Sequence, residues 1–168
     1  MYKQILVAVD GSETSSRALA AAIELARESQ AQLQPLYVVD VPLMSYDVPG
    51  YDPSYVRDAL VEEGRHVLAD AATLMAGAGV KGATRIVETD LTGEDIAHRI
   101  RAAAQEFNAD VVVLGTHGRR GVRRLVLGSV AEHFLRIANC PVLLISMHCG
   151  PSAATVAQTV QEPVKDPS

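Results

Sequence analysis

Four short runs that are apolar at nearly every position constrain this chain most. They are Ile5-Leu6-Val7-Ala8-Val9, Leu33 to Val39, Val111-Val112-Val113-Leu114 and Val142-Leu143-Leu144-Ile145. A strand that is apolar on both alternating faces must be covered on both sides, as in a parallel sheet flanked by helices. A fifth run, Thr84 to Glu88, is shorter and more polar and is expected at a sheet edge. Amphipathic helical patterns separate the runs. Ser12 is an expected N-cap, Glu13 suits the first turn, and Leu19, Ile23 and Ala26 share a face of a helix reaching about Gln30. Asp52-Pro53 opens a second helix with Val56, Leu60, Val67, Ala71 and Leu74 as its inner stripe, ended by Gly77 and Gly79. Thr92, with Asp95 three residues on, is the expected cap of a third helix, whose inner face is Ile96, Ile100, Ala103 and Phe107. Ser129 to Ile137 is the fourth, with Glu132 three residues after Ser129.

Strands alternating with helices predict an α/β fold. The expectation is a single-domain, five-stranded parallel sheet, doubly wound, with strand order 3-2-1-4-5 and helices on both faces. Residues 1–146 carry this pattern. From 147 to 168 periodicity gives way to Pro, Ser, Ala, Thr and Gln, the composition of a flexible tail. The 168 residues are 48% hydrophobic and only 4% aromatic, so the core is built from Ala, Val, Leu and Ile. A net charge of −5 argues against a general nucleic-acid binder. Cys140 and Cys149 fit neither a disulfide framework nor a CxxC motif, and Cys140 reads as a small buried hydrophobe. With no signal-peptide pattern and no apolar stretch of about 20 residues, the expectation is a cytoplasmic protein without a membrane partner.

In that order of strands the switch point lies between the first and fourth, and ligands bind outside the carboxyl ends there. Those ends carry Asp10 and Gly115. After Gly115 come His117, Gly118, an arginine-rich loop and then Gly128-Ser129 at a helix start. Strand, glycine loop and helix N-terminus make a phosphate cradle of backbone N–H groups, with Ser129 and Val130 offering theirs. The plainer reading is that the glycines make turns and Ser129 caps its helix with Glu132. Arg119, Arg120, Arg123 and Arg124 are either a solvated loop or a source of contacts to terminal phosphates, with Arg119 and Arg120 as the candidates. A nucleic-acid patch is the remaining, weaker reading. Asp10, His117 and Ser129 invite a hydrolase triad, but no GxSxG elbow is present and no catalytic residue is assigned. A GxxxxGK[ST] loop is also absent. His66, His98, His133 and His148 have no helical spacing among themselves, which argues against a metal site. Tyr46 and Tyr51 form either a lid or a self-packed loop within residues 41–52.

The Gly115-x2-Gly118-x9-Gly128-Ser129 spacing occurs with Val9-Asp10-Gly11-Ser12, Tyr37-Val38-Val39-Asp40 and Cys140-Pro141-Val142-Leu143-Leu144. Together these resemble the universal stress protein family, in its ATP-binding branch, from about Lys3 to Ser146. The resemblance implies that Val38 meets adenine through its backbone, with Ala8, Val9 and Leu114 nearby. It implies that Asp10 lies by the ribose and, through nucleotide-bound Mg²⁺, by the phosphates. Gly115, His117, Gly118, Gly128, Ser129 and Val130 would hold ribose and phosphates of ATP, or of ADP or AMP. It further implies a homodimer through antiparallel pairing of Val142, Leu143, Leu144 and Ile145, a nucleotide-responsive stress role, and at most slow hydrolysis. Two alternatives stand beside it: a protein-interaction dimer with an empty site, and an adenine-nucleotide hydrolase.

Overall fold

The apolar runs become strands whose residues point alternately to two helical layers. In the computed structural model, which describes residues 1–41, 52–90, 94–116, 127–146 and 155–157, the order is β1 (Gln4–Ala8), α1 (Glu13–Ser29), β2 (Gln32–Val39), α2 (Pro53–Gly77) and β3 (Arg85–Glu88). Then follow α3 (Ile96–Phe107), β4 (Val111–Gly115), α4 (Ser129–Ile137), β5 (Val142–Ile145) and β6 (Thr155–Ala157). Ile5 and Val7 of β1 join a core with α1 and α2, while Leu6 joins the core under α3 and α4. The same alternation divides β4, with Val111 and Val113 on one side and Val112 and Leu114 on the other.

The sheet order is β3-β2-β1-β4-β5-β6. The first five strands pair in parallel in the expected 3-2-1-4-5 arrangement, with β1 between β2 and β4. The chain therefore reverses its direction of growth at β1 and β4, and the switch point lies between them. β3 is at an edge, as its polarity predicts. The other edge differs from expectation. Three residues within the segment read as a tail form β6, antiparallel to β5, with Leu143 opposite Val156. The rest of 147–168 lies outside the described residues.

Helix starts follow local capping chemistry. Ser12 caps α1, its hydroxyl accepting the Ser15 N–H at 3.2 Å, and Asp52 caps α2 by accepting the Ser54 N–H at 2.9 Å. The α3 cap is Asp95 itself, accepting the His98 N–H at 2.8 Å, so the helix begins later than Thr92 would set it. Thr92 lies outside the described residues. Burial pushes the Asp95 carboxyl up, but the His98 N–H and the His98 and His133 side chains outweigh it and hold it below the usual carboxylate range.

The stripe on α2 also shifts. Leu68, Ala71 and Met75 are buried, whereas Leu74 is 56% exposed. The helix touches the sheet through Gly64, where a Cβ would lie 2.6 Å from Tyr37 Cδ1 and 2.9 Å from Ile86 Cδ1. That close approach sets the helix rotation and selects Met75 over Leu74. On α3 the fully covered residues are Ala97, Ile100, Ala103 and Ala104, while Ile96 and Phe107 pack at the margin.

Candidate functional site

The neighbouring strands β1 and β4 each end in hydrogen bonds that launch the helix that follows. Beyond β1, Gly11 takes φ +81°, a left-handed conformation that glycine adopts without a Cβ penalty. This turn lets the Ser12 N–H reach Asp10 Oδ1 at 2.9 Å. The Asp10 N–H in turn reaches Ser15 Oγ at 3.3 Å, and that hydroxyl donates to the Ser12 carbonyl at 2.9 Å. Asp10 is thus half-buried at the switch point, as expected, and organises the α1 start. Ser15 and Thr14, both buried, were missed in the sequence reading. The signal was the Asp-Gly-Ser-x-x-Ser spacing, in which the second serine closes the turn.

Gly115 permits a close approach of backbone at the end of β4. A Cβ on it would lie 2.9 Å from Thr14 Cγ2 and 3.2 Å from the Thr14 carbonyl carbon. Its lack of a side chain admits the N-terminus of α1 against the end of β4. Next, the Thr116 N–H bonds to the Ile145 carbonyl at 2.9 Å, and the Thr116 carbonyl accepts from the Gly128 N–H at 2.7 Å. That second bond clasps the base of the connection between β4 and α4 and puts the start of α4 beside the end of β4. His117, Gly118, Arg119, Arg120, Arg123 and Arg124 fall in that connection, outside the described residues, as do Tyr46 and Tyr51.

The N-cap of α4 is Gly128, with Ser129 as the first helical residue, so the expected Ser129 cap does not form. Gly128 has φ −62° and ψ 148°, ordinary extended backbone. It has no side chain to offer the first-turn N–H groups, unlike the caps of α1, α2 and α3. Those N–H groups carry the positive end of the helix dipole. Ala8, Val38 and Val130 are half-buried toward the α3/α4 layer, where Leu114 is buried. Val9 instead faces α1 and α2 and is 5% exposed, which makes its side chain part of the core. The described part of the crevice therefore combines Ala8, Val38 and Leu114, Asp10 at the β1 end, and Gly128 to Val130 at the α4 start.

The family model for universal stress proteins matches residues 1–146. The chain belongs to the universal stress protein family. Among its relatives, universal stress protein MJ0531 of Methanocaldococcus jannaschii is 35% identical over 146 residues, 86% of this chain and 82% of that protein. A universal stress protein family structure from Burkholderia pseudomallei is 51% identical, with TM-score 0.73, and the match covers 86% of this chain and 96% of that one. A universal stress protein from Archaeoglobus fulgidus, solved in complex with dAMP, is 26% identical with TM-score 0.63 over 86% of this chain and 98% of its own.

Cys140 is half-buried against the α3/α4 core, and burial, then Asp110, pushes its thiol up, so it is an inert packing residue. Asp110 sits at the other end of the sheet, accepting the Lys3 and Gln4 N–H groups at 2.6 and 2.9 Å. The histidines are not all isolated, because His98 and His133 meet across α3 and α4 with ring centroids 5.0 Å apart. No helix among the described residues is long and apolar enough to cross a membrane.

Proposed function

We propose that this universal stress protein binds an adenine nucleotide, ATP in the working state, in the crevice between β1 and β4. The observation that carries the reading is the start of α4. Its N-cap, Gly128, brings no side chain to the first-turn N–H groups, and the Gly128–Thr116 bond holds them at the carboxyl end of β4, beside β1. A nucleotide phosphate satisfies such groups. The dAMP complex of the Archaeoglobus fulgidus relative supports the choice of adenine nucleotide. Adenine would lie against Val38 and Ala8 and ribose near Asp10. Ser129, Val130 and the glycines would cradle the phosphates, with His117, Arg119 and Arg120 completing the loop. Mg²⁺ would arrive with the nucleotide, near Asp10. Hydrolysis on this reading is at most slow. Nucleotide occupancy is then the regulatory state, read out in a stress response.

Gly128→Val tests the placement. Its φ of −62° suits valine, so the substitution adds bulk at the cradle without backbone strain. Calorimetric ATP affinity should fall at least tenfold, about 1.4 kcal/mol, with only the modest lowering of the unfolding midpoint that a poorer N-cap brings. Wild-type affinity in the variant would put the phosphates elsewhere.

We further propose that the protein dimerises through β5, Val142–Ile145, in competition with its own β6. β5 is apolar and would otherwise be an edge strand, which is a template for pairing. β6 engages it over only three residues. Removing residues 147–168 should strengthen self-association roughly tenfold or more, on the order of 1.4 kcal/mol, as read by sedimentation velocity. Unchanged association would show that the β5 edge is not the dimer surface or that β6 does not guard it.

A further inference from the structure

Asp95, His98 and His133 come from two helices, yet their ligand atoms all lie within 4.8 Å of one another. His98 Nδ1 is 2.9 Å from Asp95 Oδ1, and His133 Nδ1 is 2.6 Å from Asp95 Oδ2. The two imidazoles meet edge to face at 82°. One carboxylate thus faces two imidazole nitrogens on separate oxygens. We propose that these three residues form a binding site for a divalent cation of the zinc class, bridging α3 and α4.

The donor set decides the class of ion. Two imidazoles and a carboxylate suit Zn²⁺, Co²⁺ or Ni²⁺, whereas Mg²⁺ prefers oxygen ligands. Tetrahedral bonds of 2.0–2.2 Å place ligand atoms roughly 3.3 Å apart, so the cluster must open slightly around an ion. The side chains have room to do so. Those of His98, His133 and Asp95 are 43%, 41% and 46% exposed. Asp95 Oδ1 also accepts the His98 N–H that caps α3, which orients the carboxylate as a supporting hydrogen bond does around a metal. Three protein ligands leave a fourth position open to water or a further ligand. The positive end of α3 opposes a cation there, and the Asp95 carboxylate offsets it.

As plain ion pairs, these exposed contacts would add little to stability. An ion would instead crosslink the first turn of α3 to the second turn of α4. His133 is four residues from Ser129, about 6 Å along α4, so the ion would fix the helix whose start is the proposed cradle. The metal site does not depend on nucleotide binding, and its test uses nucleotide-free protein.

Chelator-treated full-length protein should bind Zn²⁺ saturably in calorimetry. It should also give the visible band of tetrahedral Co²⁺, and Zn²⁺ should raise its Tm. His98→Gln and His133→Gln should each weaken Zn²⁺ at least tenfold, and together they should abolish the Co²⁺ band and the Tm rise. Asp95→Asn keeps a good helix cap while removing the anionic ligand, and it should weaken binding by a similar factor. Excess Mg²⁺ should not compete. No saturable binding, or Zn²⁺ binding undiminished in the double histidine variant, would overturn the proposal.

Discussion

Phe134→Ala is expected to destabilise the protein by about 3–5 kcal/mol, the range for removing a large buried aromatic side chain. Phe134 is 1% exposed and lies in the α3/α4 core with Leu6, Leu36, Ile100 and Val112. α4 has only nine residues, of which Ala131 and Phe134 alone are fully buried. A helix that short is not stable by itself, so it depends on this ring's packing in the core it shares with α3. The consequence reaches the site, because α4 presents Ser129 and Val130 at its start. Urea unfolding should show a lower midpoint with little change in slope. A loss below about 1 kcal/mol would mean that α4 is held by something other than this packing.

Gly82→Ala should cost about 2–6 kcal/mol, combining backbone strain and overpacking of roughly 1–3 kcal/mol each. Gly82 has φ +148°, and a Cβ there would sit 1.8 Å from the Leu33 carbonyl oxygen. The neighbouring atom is backbone in a strand, so a side-chain rotation gives no relief. Moving the segment away would strain the Leu33 N–H bond to the Lys81 carbonyl, now 2.9 Å. Two nearby glycines serve as controls. Gly79 has φ +69° with nothing within 4 Å of a Cβ, so alanine meets only the left-handed strain of roughly 1–2 kcal/mol. At Gly77 a Cβ likewise meets nothing within 4 Å, and Gly77→Ala should be neutral or slightly stabilising. Thermal unfolding should rank the losses Gly82, then Gly79, then Gly77. Equal losses at Gly82 and Gly79 would refute the backbone clash.

The sheet was legible because β1, β4 and β5 are apolar on both faces and lie among strongly periodic helices. Their order followed from crossover handedness and the polar character of β3. Rotation of α2 was not legible. Val67-Leu68 and Leu74-Met75 each offer two adjacent apolar residues, and only the contact of Gly64 with Tyr37 and Ile86 chooses between them. β6 was hidden because three residues, Thr155-Val156-Ala157, carry no period, and an available sheet edge decides whether they pair. At the site, Asp10 and Gly128–Ser129 could be brought together from topology alone. The finer roles could not. No local pattern marks the packing of Gly115 against Thr14, and Gly128 rather than Ser129 takes the cap position of α4. The Asp95–His98–His133 cluster had only half a signal, because its third member lies on another helix, 35 residues beyond His98.

Whether the β1/β4 crevice holds an adenine nucleotide is tested most directly by mass spectrometry of freshly purified protein, denatured to release anything bound. ATP, ADP or AMP is expected in near-stoichiometric amount, with much less from Gly128→Val prepared in parallel. No nucleotide from the wild-type protein, together with no calorimetric ATP binding at millimolar concentration, would contradict it.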